Sequence, residues 1–415
     1  MSRRRALACW ILVAIAALAD AGCTGGAPVA PAEFKDSTRV PATQMVAFVN
    51  ATIVSTTDGF LAPEMTVIVD RGIIVAVGPV ATTPVPANAH HVDARDRFLL
   101  PGLVDMHVHL RQADLPRYVA AGITTVRNMW GLRALPAMIH RIDAGELLGP
   151  RVYSASPGVD GPPGMWPETR FLTIPDSADA LVREFVAAGW KYVKSYNALS
   201  KPAYFALTMA AAAHGLHVVG HIPIAVTLQE ALDHGQLSIE HLGGYEGAWG
   251  TGSALNESLL QSEARETAAH GAWNCPTLGV LTGILTRNND PNRDRITTNR
   301  RAVVRALRDA GARLLVGTDA GFDFVAPGTS YRTELEAMAS AGLTTAQVLR
   351  AATIGAAEFL GVADSAGVIA PGRWADVVLL DANPLRELAT VATPAGVLLR
   401  GEWLPRNYLR TVIGR

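Results

Sequence analysis

Cysteine is scarce in this sequence of 415 residues, which contains Cys9, Cys23 and Cys275. Because Cys9 and Cys23 lie within the first 23 residues, Cys275 has no partner in the rest of the chain, and a structural disulfide is excluded. Charged residues are also few, at 18%, and the two signs nearly cancel, with 36 Lys and Arg against 37 Asp and Glu. No basic patch is visible, so the sequence excludes a nucleic-acid partner.

Long hydrophobic runs are absent apart from Ala6 to Ala19, which is too short to span a bilayer as a stable helix. Three arginines precede this run, a pattern that predicts an export signal over residues 1–23. Two processing sites remain open. Ala19-Asp20-Ala21 fits ordinary secretion, whereas Ala21-Gly22-Cys23 resembles the end of a bacterial lipoprotein signal, with Cys23 lipidated and anchored to the membrane. Either alternative predicts an exported protein, periplasmic or membrane-anchored.

The remaining chain contains no tandem repeat, and its patterns predict an α/β protein with two folded parts. Residues 24–43 are rich in Gly, Ala, Pro and Thr and predict a flexible tether. Short alternating strands occupy residues 44–98 and return over 365–415, which predicts a small β-sandwich domain built from both chain ends. Between them, residues 99–364 alternate strands with helices, as a (β/α)₈ TIM-type barrel requires. Its eight predicted strands are Leu103–Leu110, Thr124–Met129, Arg151–Ala155, Tyr192–Tyr196, His217–Ile222, Leu237–Leu242, Ala272–Leu278 and Leu314–Asp319.

The first of these strands carries two histidines, His107 and His109, at spacing i, i+2. Side chains alternate along a strand, so both imidazoles point to the same face and can bind one ion. Further polar residues stand near the ends of later strands; they are Lys194, His221, His241 and Asp319. The carboxyl ends of barrel strands form the catalytic face, so these residues predict a metal centre there.

Lys194 is the unusual member, because an ammonium group cannot bind a cation. Two divalent ions about 3.5 Å apart repel each other by about 19 kcal/mol at an effective dielectric of about 20, so they need anions between them. A lysine carboxylated by CO₂ offers two oxygens, one for each ion. Lys191 is the competing lysine, but strand alternation places it on the opposite face from Lys194 and Tyr196. Nitrogen and oxygen donors without thiolate fit two Zn²⁺ ions.

Several motifs resemble the amidohydrolase superfamily, in the branch similar to imidazolonepropionases and metal-dependent, prolidase-like dipeptidases. The resemblance covers about residues 44 to 405, and its motifs are PGLVDMHVHL, YVKSYN, VVGHIP, SIEHLGG, LLVGTDAG, ELEAMASAGLTTAQVLRAATIGAAEFLG and GVIAPGRWADVVLLDANPL. It implies that His107, His109 and Asp319 hold one metal. It further implies that His221 and His241 hold the other, with carboxylated Lys194 between them. Asp319 would transfer the proton.

The resemblance implies a hydrolase of amide-type C–N bonds in which a metal-bridging hydroxide attacks a small-molecule substrate. A lactone or ester hydrolase is an alternative, because the same nucleophile attacks either carbonyl. A catalytically silent exported binding protein is another, and the sequence is compatible with an oligomer.

Substrate contacts depart from the family pattern. After the third strand, relatives often have Gly-Gly-His, whereas this chain has Gly161 to Trp166. After the second strand, they have Arg-Asp, whereas this chain has Arg127-Asn128. These differences do not favour a dipeptidase. Four aromatic residues near the strand ends instead predict substrate contacts in an apolar pocket wall; they are Tyr196, Trp130, Trp166 and Trp249. Packing of the tryptophans beneath long loops is an equal alternative. Strand alternation points Glu240 away from His241, which favours a structural role.

Overall fold

The computed structural model describes residues 38–249 and 254–414. The predicted export signal over residues 1–23, with Cys23, lies outside the described residues, as does most of the predicted tether over residues 24–43. Within the described ranges, no helix combines the length and the apolar character needed to cross a membrane.

The chain begins with five strands of a mainly antiparallel sheet. They are β1 (Val46–Val54), β2 (Leu61–Asp70), β3 (Ile73–Pro79), β4 (His90–Asp93) and β5 (Phe98–Pro101). β1 lies at the centre, antiparallel to β2 on one side and parallel to β4 and then β5 on the other. Phe48 on β1 packs its ring against Trp403, 5.2 Å between centroids, so the sheet's core joins residues from opposite ends of the chain.

Ten parallel strands follow within the described residues, which confirms the α/β class. They are β6 (Leu103–Val108), β7 (Ile123–Asn128), β8 (Arg151–Ser154), β9 (Val159–Asp160), β10 (Arg170–Phe171), β11 (Val193–Ser195), β12 (Val218–Gly220), β13 (Ser238–Glu240), β14 (Trp273–Cys275) and β15 (Arg313–Leu314). They form two sheets, in the orders β6-β7-β8 and β10-β9-β11-β12-β13-β14-β15. All eight strands predicted in this region are present; seven are shorter than expected, and β7 has the predicted six residues but begins one residue earlier.

Backbone pairing links the edges of these two sheets. Ala155, just after β8, pairs in parallel with Tyr192, just before β11. Val108 at the end of β6 pairs with Ala320, which follows β15. The carboxyl ends of the parallel strands consequently lie on one face, where side chains from distant parts of the sequence meet.

Helices connect most of the parallel strands. They are α1 (Leu115–Ala120), α2 (Leu135–Asp143), α3 (Ala178–Ala187), α4 (Lys201–Ala213), α5 (Leu228–Asp233), α6 (Glu257–His270), α7 (Leu278–Arg287), α8 (Arg293–Asp309), α9 (Thr329–Ser340), α10 (Thr345–Ala351) and α11 (Ile354–Leu360). Their limits follow local sequence signals. Thr227 and Glu230 form a capping box at the start of α5, and Gly271 ends α6 in the left-handed conformation, with φ 66°.

The chain ends with β16 (Val377–Leu380), β17 (Gly396–Leu399), β18 (Glu402–Pro405) and α12 (Arg406–Val412). These strands complete the antiparallel sheet, because β16 pairs with β5. β16 is apolar and buried at every residue, as expected of a central strand with β17 on its other side. Both chain ends therefore contribute to one sheet, while the domain limits at 44–98, 99–364 and 365–415 stay predictions.

Candidate metal centre

The end of β6 and the segment after β15 lie side by side and bring the first predicted ligands together. Asp319 N donates a hydrogen bond to His107 O at 2.7 Å, and His109 N donates to Ala320 O at 2.6 Å. Asp319 itself has φ 59°, a conformation uncommon for a residue with a side chain. Its Oδ1 atom lies 3.3 Å from His107 Nε2 and 2.9 Å from His109 Nε2.

The other two predicted histidines extend this group. The ring of His241 lies 4.5 Å from that of His107, and the ring of His221 lies 4.7 Å from that of His241. Potential ligand atoms of His107, His241 and Asp319 all lie within 4.8 Å of one another. The structure thus brings the four histidines and Asp319 together, and their binding of metal stays a prediction.

Lys194 lies in the same group and is almost completely buried. It packs so closely on Gly220 that a Cβ atom there would lie 2.7 Å from Lys194 Cδ, which is why a glycine is needed at this point of β12. No described carboxylate forms an ion pair with Lys194, and burial lowers the pKa of its amine to about 8. Lys191, the competing lysine, is exposed.

Three of the histidines have a hydrogen bond that fixes the orientation of the ring. In each, Nδ1 lies 2.7 Å from an oxygen; the pairs are His107 with Glu240 Oε2, His221 with Asn197 Oδ1, and His241 with Thr277 Oγ1. Such partners leave Nε2 as the nitrogen available for a metal, and they are usual around metal-binding histidines. The sequence did not predict Asn197 or Thr277 in this role.

Two buried polar atoms at the centre lack a hydrogen bond of good geometry. His107 Nε2 and Asp319 Oδ1 form no hydrogen bond with any described residue. Leaving buried polar atoms unsatisfied is costly, and a bound cation would satisfy both.

The charge states also fit a metal. Burial lowers the pKa of His107 to about 4, and it holds those of His221 and His241 well below the usual value, so all three rings are neutral as metal ligands must be. Burial alone would raise the pKa of Asp319, but His109 and His107 outweigh it and hold the pKa below its usual range, so the carboxylate is ionised.

A buried ion pair supports His107 from behind. Glu240 Oε1 accepts hydrogen bonds from Arg127 at 2.8 Å and from Ser238 Oγ at 2.6 Å, while Oε2 contacts His107 Nδ1. Burial opposes the charge on Glu240, but Arg127 and His107 outweigh it and hold the pKa of Glu240 well below its usual value. Glu240 thus has the structural role that was expected, since it pairs with Arg127 and holds His107. The sequence signal for the pair was weak: one charged residue in each of two buried strands.

Strand alternation predicted that Glu240 and His241 point to opposite faces, but the structure places both side chains against His107. β13 ends at Glu240, and His241 has φ 60°, so strand alternation does not continue to His241. Both side chains contact His107, Glu240 by the Nδ1 hydrogen bond and His241 through its ring.

The predicted substrate contacts lie beside the centre. The ring of Tyr196 lies 4.3 Å from that of His221, Trp166 Nε1 donates to Tyr196 Oη at 2.7 Å, and the ring of Trp130 lies 5.3 Å from that of Tyr196. Trp249 behaves differently. Its Nε1 donates to His241 O at 2.9 Å, so it supports the loop that carries His241.

Parallel strands that end in neutral imidazoles, a buried lysine and an ionised carboxylate are typical of metal-dependent hydrolases. The pattern of the Amidohydrolase family matches residues 98–404, and the chain belongs to this family.

Similar proteins support the assignment to this family. The chain is 26% identical to an imidazolonepropionase of Nocardia farcinica over 383 residues, which cover 79% of this chain and 88% of the relative. It is 24% identical to an adenine deaminase of Moorella thermoacetica over 348 residues, 78% of this chain. It spans only 51% of that relative's length.

Solved structures resemble the chain over most of its length. A prolidase-like protein from Bifidobacterium longum matches with a TM-score of 0.75 and 27% identity, over 88% of this chain and 95% of that one. Bottromycin amidohydrolase matches with a TM-score of 0.74 and 28% identity, over 90% and 89%. The fold of these neighbours implies a TIM-type barrel. Together with the family, they indicate a hydrolase that acts on carbon–nitrogen bonds.

Proposed function

We propose that this protein is a metal-dependent amidohydrolase that cleaves an amide-type C–N bond in a small-molecule substrate. The observation that carries the proposal is a pair of buried atoms without a hydrogen bond among the described residues, His107 Nε2 and Asp319 Oδ1, within a cluster of neutral imidazoles. We further propose that the parallel strands close into a (β/α)₈ barrel over residues 99–364. Residues 44–98 and 365–415 would then form the composite β-sandwich beside it.

The proposed centre holds two divalent ions, with Zn²⁺ the ion that suits these donors. His107, His109 and Asp319 would hold one ion, and His221 and His241 the other. Carboxylated Lys194 would lie between them. When bound, the ions would supply Lewis-acid activation of the substrate carbonyl and of a water molecule.

Lys194 is suited to carboxylation because only the neutral amine reacts with CO₂. With its pKa lowered to about 8 by burial, the amine is more often neutral near pH 7 than an exposed lysine would be.

Two other side chains would handle protons. Asp319 is ionised, so the carboxylate oxygen that does not bind the ion could accept a proton and pass it to the leaving nitrogen. Burial raises the pKa of Tyr196 to about 12, so this phenol stays neutral. Its oxygen accepts from Trp166, which leaves its own proton available for a substrate oxygen.

Metal content gives the first prediction. Six ligands with a carboxylated lysine between two groups predict two ions per chain, measured by elemental analysis of purified, metal-loaded protein. Removal with a chelator should abolish turnover, and reloading should restore it. One ion or fewer after reloading would contradict the binuclear arrangement.

A substrate screen tests the activity itself. N-acyl amino acids, dipeptides and lactones should be compared on metal-loaded and metal-free protein. We expect metal-dependent cleavage of amides. Cleavage of lactones alone would favour the ester-hydrolase alternative, and full metal content without any turnover would favour a binding protein.

We also propose that the protein is exported, on the basis of residues 1–23. If Cys23 is lipidated, Cys23→Ser should move the protein from the membrane fraction to the soluble periplasm, since anchoring by two or more acyl chains survives fractionation. Immunoblots of both fractions measure this. The same soluble distribution for both forms would instead favour cleavage after Ala21.

A further inference from the structure

A continuous line of aromatic rings connects two of the predicted metal ligands along one side of the centre. From His221 the line passes to Tyr196, whose ring lies 4.3 Å away, and then to Trp166, which donates its indole N–H to Tyr196. From Trp166 it continues to Phe322, 5.6 Å between ring centroids, and Phe322 lies 5.4 Å from the ring of His109. We call Tyr196, Trp166 and Phe322 the aromatic arch.

The arch is supported from behind. Trp130 packs its edge against Tyr196, and its Nε1 donates to Pro167 O at 2.9 Å, next to Trp166. Gly158 makes room for this indole, because a Cβ atom at that position would lie 2.7 Å from Trp130 Cζ2. The polar atoms of both tryptophans are thus used within the protein, and the arch is fixed before any substrate arrives.

Apolar surface continues from the arch towards solvent. Phe324 stacks on Phe322 at 5.8 Å between centroids and is 39% exposed. Met165, next to Trp166, is 56% exposed. Large apolar side chains that remain exposed around a concave site are typical of ligand recognition.

Charged groups beside the arch are already engaged. The Arg111 guanidinium binds Asp114 at 2.6 Å and Asp323 at 2.8 Å. Arg287 lies over the ring of Phe324, 5.0 Å from its centroid. A charged substituent held against the arch would therefore lose water without gaining a free partner from these arginines, which is unfavourable.

We propose that the substrate has an aromatic or bulky apolar group next to the scissile amide and that this group packs on Trp166 and Phe322. The inference rests on the proposed amidohydrolase function. It separates the substrate from compact polar molecules and from free dipeptides with a charged group at this position. Removing the ring of Phe322 should then weaken binding of the apolar group, an effect that appears mainly in KM.

Pairs of substrates that differ only in an aromatic group test this preference on the acyl side and on the amine side of the scissile amide. N-phenylacetyl-glycine is compared with N-acetyl-glycine, and N-acetyl-phenylalanine amide with N-acetyl-glycine amide. In the native enzyme, kcat/KM should favour an aromatic member by at least about tenfold. Phe322→Ala and Trp166→Ala should each raise KM for that substrate about 10- to 100-fold and remove most of the native preference for it over its small partner. Phe60→Ala, a 66% exposed aromatic residue before β2, is the matched control and should change neither.

Binding without catalysis provides a second measurement. Calorimetric titration of metal-free protein with phenylacetate and acetate, and with benzylamine and methylamine, should give tighter binding of an aromatic probe. Phe322→Ala should remove that preference, at unchanged metal content of the loaded variant.

The outcomes separate the two proposals. Amide cleavage with no aromatic preference in either assay would overturn the arch as a recognition surface and leave the amidohydrolase function standing. Aromatic preference in calorimetry with no amide cleavage by metal-loaded protein would support the arch and reject the function.

Discussion

Lys194→Ala is expected to reduce kcat/KM by at least about 10³-fold and to lower the bound metal from two ions to one or fewer. Lys194 is almost completely buried, and the neighbouring charges that act on it most strongly are those of Glu240 and Asp319. In the proposed arrangement the carbamate would supply one oxygen to each ion, so its loss removes a ligand from both. Steady-state kinetics and elemental analysis of the same preparation measure both effects.

The loss at Lys194 should be partly repairable. A carbamate contributes a pair of carboxylate-like oxygens, so acetate or propionate can occupy the space that the shortened side chain leaves. We expect either acid to restore part of the activity of Lys194→Ala and to leave the native enzyme unchanged. Lys191→Ala is the matched control; this lysine is exposed, and its removal should change neither activity nor metal content. Near-normal turnover by Lys194→Ala beside an inactive Lys191→Ala would move the assignment to Lys191.

The positions of the candidate ligands could be predicted from sequence because strand ends are local features. A short apolar run that stops at a histidine is visible without any knowledge of the fold, as at His221. The expected barrel then places all such ends on one face.

Strand lengths were predicted less well, for a physical reason. The last strand was expected over Leu314–Asp319, but β15 ends at Leu314. Beyond it, Leu315 N still donates to Asn274 O, while Asp319 N donates to His107 O on the other side. The segment thus forms hydrogen bonds first with β14 and then with β6, and the left-handed φ at Asp319 ends the extended conformation.

Contacts between loops could not be predicted. Thr277, which has φ 46°, contacts His241 through its hydroxyl group, and Phe322 is part of the aromatic arch although it lies in the loop after Asp319. No periodicity in the sequence reports a left-handed residue or the path of an irregular loop. The pairing of Arg127 with Glu240 across 113 residues could not be predicted either, because nothing in the sequence around one charge indicates the other.

Glu240→Ala is the second change with a large expected effect, and it acts first on stability. Both Arg127 and Glu240 are fully buried, so removing the carboxylate leaves a guanidinium without its counter-charge inside the protein. Breaking a buried pair in this way costs about 3–5 kcal/mol of unfolding free energy. Urea denaturation of metal-free protein measures it without a contribution from bound ions. Glu184→Ala, which breaks the partly exposed pair with Arg170, is the control and should cost at most about 1 kcal/mol.

A double variant separates stability from metal binding at the same position. Replacing both partners with apolar residues of similar size, Arg127→Met with Glu240→Met, removes the unpaired charge and should recover most of the lost stability. It cannot recover the hydrogen bond to His107 Nδ1, which lies 2.7 Å from Glu240. Metal affinity, measured by competition with a chelator, should therefore stay about 10- to 100-fold below that of the native protein. A double variant with native affinity would mean that Glu240 stabilises the fold and does not orient His107.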